Sequence, residues 1–178
     1  MSISRQNLSI VIVTLKSEDV IKQCLNSIDQ EIPIFVIENS SNLKFKENLE
    51  ENYQNVKCVL TNKNLGMGSG NNFGINLVKT DYVLILNPDV ILEPNTINEL
   101  ILASKSNSNF SILSPISKNS SYPNYKLVDK NKSEKKENLP FLVKSVDGYA
   151  MLFNKNRINM ILKDEINKSK FNNQFSRM

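Results

Sequence analysis

An amide, a proline and a carboxylate, Asn87-Pro88-Asp89, interrupt the apolar stretch "YVLILNPDVIL". Pro88 cannot donate to a sheet ladder and biases the residue before it away from helical dihedrals. A strand should therefore stop there and display Asn87 and Asp89 at its carboxyl edge. A single carboxylate in that place is a hard oxygen ligand, suited to a Mg2+ or Mn2+ ion that keeps waters and takes its other ligands from a diphosphate. Asn87 can hydrogen-bond a ribose or a coordinated water. The competing interpretation is an Asn-Pro-Asp turn that only caps the following segment.

Two further strand ends carry polar groups. Glu38, in "VIENSSN", can accept from an imide N–H or a sugar hydroxyl, and Thr14 closes "LSIVIVTL" with a hydroxyl that can serve the backbone or a base. Four of the five glycines fall in "GMGSGNNFG", ahead of a predicted helix, where backbone N–H groups can face a phosphate or sugar. The spacing matches neither the dinucleotide fingerprint, which places a third glycine at Asn71, nor the P-loop, which requires Gly-Lys-Ser/Thr. A tight loop with close helix-sheet packing accounts for the glycines equally well.

Absences restrict the chemistry further. The chain has no histidine, which removes Ser-His-Asp triads, Cys-His dyads and the usual zinc centres. Acid-base work falls to carboxylates, lysine or tyrosine. Cys24 and Cys58, read on a helix face and in a strand, argue against a disulfide framework. The net charge of +4 comes from the C-terminal end, where six basic residues from Lys155 onward face only Asp164 and Glu165, leaving sixteen charges of each sign in residues 1–153. No nucleic-acid partner is expected, and peripheral membrane contact of the basic tail stays open. Apolar runs shorter than a membrane span and an N-terminus without a signal-peptide core predict a cytoplasmic protein.

The elements that must position these groups follow from periodicity. The 178 residues suit one domain. "LSIVIVTL" is a nearly continuous β-branched run, the pattern of a strand buried on both faces. In "KSEDVIKQCLNSI", Ser17 can cap a helix whose apolar face holds Val20, Ile21, Cys24, Leu25 and Ile28. Strand "IPIFVIE", helix "NLKFKENLEEN", strand "VKCVL", helix "NNFGINLVKT" and strand "YVLIL" continue the alternation. Pro94 then opens a helix bearing Ile97, Leu100 and Ile101. Such alternation predicts an α/β fold with a mostly parallel sheet, whose ligands bind beyond the carboxyl ends of the strands. "SKNSSYPNYKLVDKNKSEKKEN" reads as a long loop. "FLVKSVDGYAMLFN" regains strand character on both sides of Asp147-Gly148, and the segment after it starts as a helix and decays into polar residues.

Five segments, "SIVIVTLKSEDVIKQCLNSI", "FVIENSSN", "NKNLGMGSGNNFGI", "DYVLILNPDVIL" and "VDGYAMLFN", together resemble the inverting family-2 glycosyltransferases of the GT-A fold, especially the rhamnosyltransferase-like branch that builds bacterial surface polysaccharide. The resemblance implies a Rossmann-like three-layer sandwich, with residues 1–153 as the nucleotide-sugar-binding domain and 154–178 as a basic tail with an incomplete acceptor-side region. It places Thr14 and Glu38 at the base and ribose, and Asn64, Gly66 and Asn71 near the nucleotide and donor sugar. Asn87-Pro88-Asp89 stands where the family has its Asp-x-Asp metal motif, with Asp89 facing Mg2+ or Mn2+, and Asp147 and Gly148 fall on the acceptor side. The implied reaction transfers a sugar from a nucleoside diphosphate, deoxythymidine or uridine by this likeness, to a saccharide or lipid-linked acceptor with inversion. A lipid-linked acceptor would bring the protein to the inner face of the membrane.

Two departures from the family pattern bear on these expectations. Leu15 and Lys16 stand where the family usually has an aromatic residue and an asparagine, so an altered nucleotide pocket is expected. Family members also continue past "GYAMLF" into an acidic segment that supplies the catalytic base, whereas this sequence stops at Met178. That leaves Asp147, Asp164 and Glu165 as weak candidates for the base. A short or truncated enzyme is expected, with a non-catalytic nucleotide-sugar-binding module as the alternative. A nucleotidyltransferase is disfavoured, since "TLKSEDV" lacks the glycine-rich loop that activity needs.

Overall fold

The structure, a computed structural model, describes residues 3–119, 121, 123–128 and 140–160. Its strands are β1 (Leu8–Thr14), β2 (Ile34–Glu38), β3 (Val56–Leu60), β4 (Tyr82–Leu86), β5 (Ile112–Leu113), β6 (Tyr125–Leu127), β7 (Val143–Val146) and β8 (Ala150–Asn154); its helices are α1 (Ile21–Asn26), α2 (Leu43–Asn52), α3 (Met67–Leu77) and α4 (Thr96–Ser106). Six strands form one sheet in the order β3-β2-β1-β4-β8-β5, and β6 and β7 form a separate antiparallel pair. The β3-β2, β2-β1 and β1-β4 pairings are parallel, whereas β8 runs antiparallel to both β4 and β5.

β1 explains why its sequence is continuously apolar. Leu8, Ile10 and Ile12 enter a large core with Ile21, Cys24 and Leu25 of α1, Phe45 and Leu49 of α2, and Ile97 and Leu100 of α4. Val11 and Val13 enter a smaller core on the other face, with Ile37, Val78 and Val83 and with Ile75 of α3 packed against it. Each buried aliphatic side chain of this kind contributes about 1.5–3 kcal/mol, so a central strand needs apolar residues on both faces. The result is three layers: α1, α2 and α4, then the sheet, then α3.

The local reasons for these elements are mixed. α2 begins where Asn42 Oδ1 accepts from the Phe45 amide at 3.1 Å, a side-chain N-cap. Ser17, by contrast, does not cap α1. Its hydroxyl turns back to bond both the amide and the carbonyl of Leu15, and its carbonyl accepts from Val20 and Ile21, so α1 starts only at Ile21 after a turn. Pro94 likewise precedes α4 rather than opening it: the Thr96 amide bonds the Glu93 carbonyl, and the helix begins at Thr96.

The glycine-rich segment differs most from expectation. α3 starts at Met67, so Gly68, Gly70 and Gly74 are helical and Gly66 alone has a positive φ, at 75°. A Cβ on Gly70 would lie 2.9 Å from Val13 Cγ1, and one on Gly74 would lie 2.4 Å from Val11 Cγ1. Those two glycines let α3 press onto β1. β6 forms inside the segment read as a loop, with Tyr125 and Leu127 half-buried.

Cys24 and Cys58 are free and buried, and burial pushes both thiols up to about 12, which leaves neither as a thiolate at neutral pH. No helix among the described residues is long and apolar enough to cross a membrane.

Candidate functional site

The parallel register of β1 and β2 sets Thr14 beside Glu38, the last residue of each strand. Thr14 Oγ1 donates to Glu38 Oε2 at 2.6 Å, and Ser40 Oγ donates to the other carboxylate oxygen. Thr14 is 1% and Glu38 2% exposed. A carboxylate this buried needs hydrogen bonds to offset its lost hydration, and two hydroxyls supply them. Thr14 therefore orients Glu38. Replacing Thr14 by valine keeps the shape and removes one donor, and should destabilise the fold by about 1–3 kcal/mol. Urea unfolding measures this, and a midpoint unchanged from wild type would show that the hydroxyl is not needed by the carboxylate.

Asn39, which the sequence does not single out, links this corner to the glycine turn. Its amide bonds the Thr14 carbonyl at 2.8 Å, its Oδ1 accepts from Thr61 Oγ1 at 3.4 Å, and its Nδ2 donates to the Gly66 carbonyl at 3.3 Å. From the other side, Asn64 Oδ1 accepts from the Gly66 amide at 2.8 Å. Gly66 is thus held at both its N–H and its C=O in a left-handed conformation that favours glycine. Asn71 follows within α3, half-buried.

The opposite wall depends on the reversed strand. Because Leu86 pairs with Ile12 on one side and with Ala150 on the other, the end of β4 and the start of β8 share an edge. The Asn87 amide donates to the Tyr149 carbonyl at 2.9 Å, and the Val90 amide closes a turn on the Asn87 carbonyl at 3.2 Å. Pro88 ends the strand as its ring requires. Asp89, Asp147 and Gly148 are all exposed at this edge, and the Asp147 amide is held by the Asn124 carbonyl at 2.8 Å. Asn124 is itself buried, bonding Ser114, Pro115 and Ser117.

Three parallel strand ends, a glycine turn and the start of an antiparallel strand thus meet at one sheet edge. The profile of Glycosyl transferase family 2 matches residues 9–175. The chain belongs to glycosyl transferase family 2. It is similar to the low-salt glycan biosynthesis hexosyltransferase Agl10 of Haloferax volcanii, 33% identical over 113 residues that make up 61% of this chain and 36% of the relative. The chain therefore spans little more than a third of that relative's length.

Among solved structures, S. aureus TarS 1-349 superposes with a TM-score of 0.62 at 18% identity, covering 89% of this chain and 49% of that one. The same protein in complex with UDP-GlcNAc gives 0.63 at 18% identity, covering 89% and 47%. The mannosyltransferase PcManGT from Pyrobaculum calidifontis, in complex with GDP-Man and Mn2+, gives 0.63 at 11% identity, covering 87% and 46%. At such identities the likeness shows the fold, the GT-A type with a mostly parallel central sheet.

In this family 2 domain, Asp89 has the surroundings of a ligand for a partly hydrated ion. It is exposed and has no hydrogen-bond or ion-pair partner among the described residues, and no group of three or more His, Cys, Asp or Glu side chains gathers there to form a protein cage. A lone hard carboxylate fits Mg2+ or Mn2+ that completes its shell with water and substrate oxygens. Asp164 and Glu165 lie outside the described residues. A cavity of about 840 Å3 runs along α4 and β5, lined by Leu100, Ala103, Leu113, Phe141 and Val143, and reaches Asn124 and Val146 beside Asp147. Glu93, Glu99 and Lys105 also line it. Asn39 and Asn124 are the supporting residues that sequence reasoning missed; the one available signal for Asn39 is an amide directly after a strand-end carboxylate, where such side chains bond backbone.

Proposed function

We propose that this chain is a glycosyltransferase of the inverting, rhamnosyltransferase-like kind, which binds a nucleoside-diphosphate sugar at the carboxyl edge of its sheet. The observation that carries this is the convergence of Glu38, the Gly66 turn, Asn87 and Asp89 on one edge at the point where the strand order reverses, the place where α/β sheets bind nucleotides. Glu38, oriented by Thr14 and Ser40, accepts from the base or ribose. Asn64, Gly66 and Asn71 border the nucleotide and donor sugar, and Asn87 and Asp89 face the diphosphate. The nucleotide sugars in the TarS and PcManGT complexes support a donor of this class.

A divalent ion on Asp89 would supply positive charge where the departing diphosphate gathers negative charge. The acceptor hydroxyl approaches from the side of Asp147 and Gly148, forms the new bond at the anomeric carbon opposite the breaking bond to phosphate, and gives its proton to a carboxylate. Asp147 is the described acid on that side. The acceptor is a saccharide or lipid-linked saccharide of cell-surface polysaccharide synthesis, met in the cytoplasm or at the inner membrane face.

Thermal unfolding with dTDP-, UDP- and GDP-sugars, each with and without Mn2+, tests the donor site. At a hundredfold excess over Kd a true donor adds about 2.7 kcal/mol of stability, a rise of about 5–10 °C for a domain of this size. A melting temperature unmoved by any donor with metal would overturn the proposal. Binding without acceptor-dependent release of diphosphate would instead make the chain a nucleotide-sugar-binding module.

A further inference from the structure

Two non-glycine residues among those described have positive φ: Asn62 at 59° and Lys16 at 56°. Asparagine enters this left-handed region readily; lysine does not. Lys16 stands two residues beyond Thr14, past the end of β1, the strand flanked by β2 and β4 where the sheet order reverses. Ser17 holds this bend, its hydroxyl on the amide and carbonyl of Leu15 and its carbonyl on the amides of Val20 and Ile21. The lysine side chain is exposed and has no hydrogen-bond or ion-pair partner among the described residues.

The charge at this edge is negative at Glu38, Asp89 and Asp147 near the strand ends and at Glu18 and Asp19 in the turn after Lys16, with Lys63, in the segment between β3 and Gly66, as a second exposed cation. A diphosphate adds more negative charge, and one divalent ion on a single carboxylate leaves the assembly short of cations. A lysine ammonium is a compact charge with three donors on a flexible stem, suited to reach a phosphate oxygen from a nearby bend. We propose that Lys16 is a donor-site residue whose ammonium bonds the diphosphate, so that the bend after β1 contributes a charge as well as a turn. This inference rests on the nucleotide-sugar reading of the edge.

Lys16→Asn removes the charge while keeping a residue that tolerates the left-handed backbone, and Lys16→Arg keeps the charge. Calorimetric titration of wild type and both variants with UDP, dTDP and GDP, and with the parent nucleosides, all in Mn2+, separates the possible roles. For whichever base binds, Lys16→Asn should lose about tenfold on the diphosphate and stay within about twofold on the nucleoside, with Lys16→Arg within about threefold of wild type throughout. Diphosphate binding by Lys16→Asn should also be less sensitive to salt, and its urea midpoint should be no lower than that of wild type. Unchanged diphosphate affinity in Lys16→Asn, or an equal loss on diphosphate and nucleoside, would overturn this inference alone. A wild-type chain that binds none of the diphosphates would overturn the donor-site reading, and this inference with it.

Discussion

Replacing Asp89 by alanine should remove manganese-dependent binding of nucleoside diphosphate and lower sugar transfer by about 100- to 1000-fold, the usual cost of deleting one group that stabilises developing charge. The fold should hardly notice. Asp89 is exposed, bonds nothing among the described residues and lies just past the end of β4, and surface substitutions of that kind stay within about 0.5 kcal/mol. Asp89→Asn keeps the size and one oxygen but loses the charge, so it should retain metal-independent nucleotide contacts and lose the metal response. Calorimetry with and without Mn2+, alongside urea unfolding, separates ligation from folding. An alanine variant that still binds diphosphate in a manganese-dependent way would remove Asp89 from the metal's ligands.

The second large effect is structural, and the same substitution should carry opposite signs within one helix. At Gly68 an added Cβ meets nothing within 4 Å, so Gly68→Ala should stabilise α3 by up to about 1 kcal/mol through helix propensity. At Gly74 the added Cβ would lie 2.4 Å from Val11 Cγ1, 3.1 Å from Ile37 Cγ1 and 3.2 Å from Val11 Cγ2. Val11 cannot readily give way: it is β-branched, stiff about χ1, and its backbone is paired with both β2 and β4. The helix must move instead. Overpacking of this kind costs about 1–3 kcal/mol and outweighs the propensity gain. Urea unfolding of Gly74→Ala should show that loss, and Val11→Ala in the Gly74→Ala background should return part of it as a coupling between touching sites. Because Gly66 stands at the start of α3, lifting the helix should also weaken donor binding. Equal stability of Gly74→Ala and wild type would mean that α3 does not need this close approach.

The strands of the parallel half are legible in the sequence because a buried central strand tolerates little besides apolar residues, and β1 has both faces covered. Their carboxyl ends are legible for the complementary reason, since Thr14, Glu38 and Asn87 are polar groups directly after runs that have no place for them. The glycines are less so. Glycine serves either to reach positive φ or to omit a Cβ, and spacing does not separate the two; Gly66 does the first, and Gly70 and Gly74 the second. Ser17 misleads because a left-handed bend at Lys16 precedes it and its hydroxyl bonds backward. β6 is three residues long, too short to show a period, and its partner β7 lies across a long connection. Asn39 and Asn124 are buried by contacts distant in sequence; Asn39 has only its place directly after a strand-end carboxylate as a local signal, and Asn124 has none.

The reversed direction of β8 divides responsibility for the site between two kinds of chain connection. The wall with Glu38 and the Gly66 turn, the proposed donor side, is made by segments that leave parallel strands, so any change in their length disturbs a crossover and the helix it carries. The other wall is made by the segment that enters β8, and β8 is held in register by β4 and β5 whatever precedes it. Residues between β5 and β8 can therefore be lengthened, shortened or exchanged while the six-stranded sheet and the nucleotide edge stay as they are. The architecture keeps one side of the edge constant and leaves the other open to replacement, so that on the proposed reading a change of acceptor need not disturb the donor side.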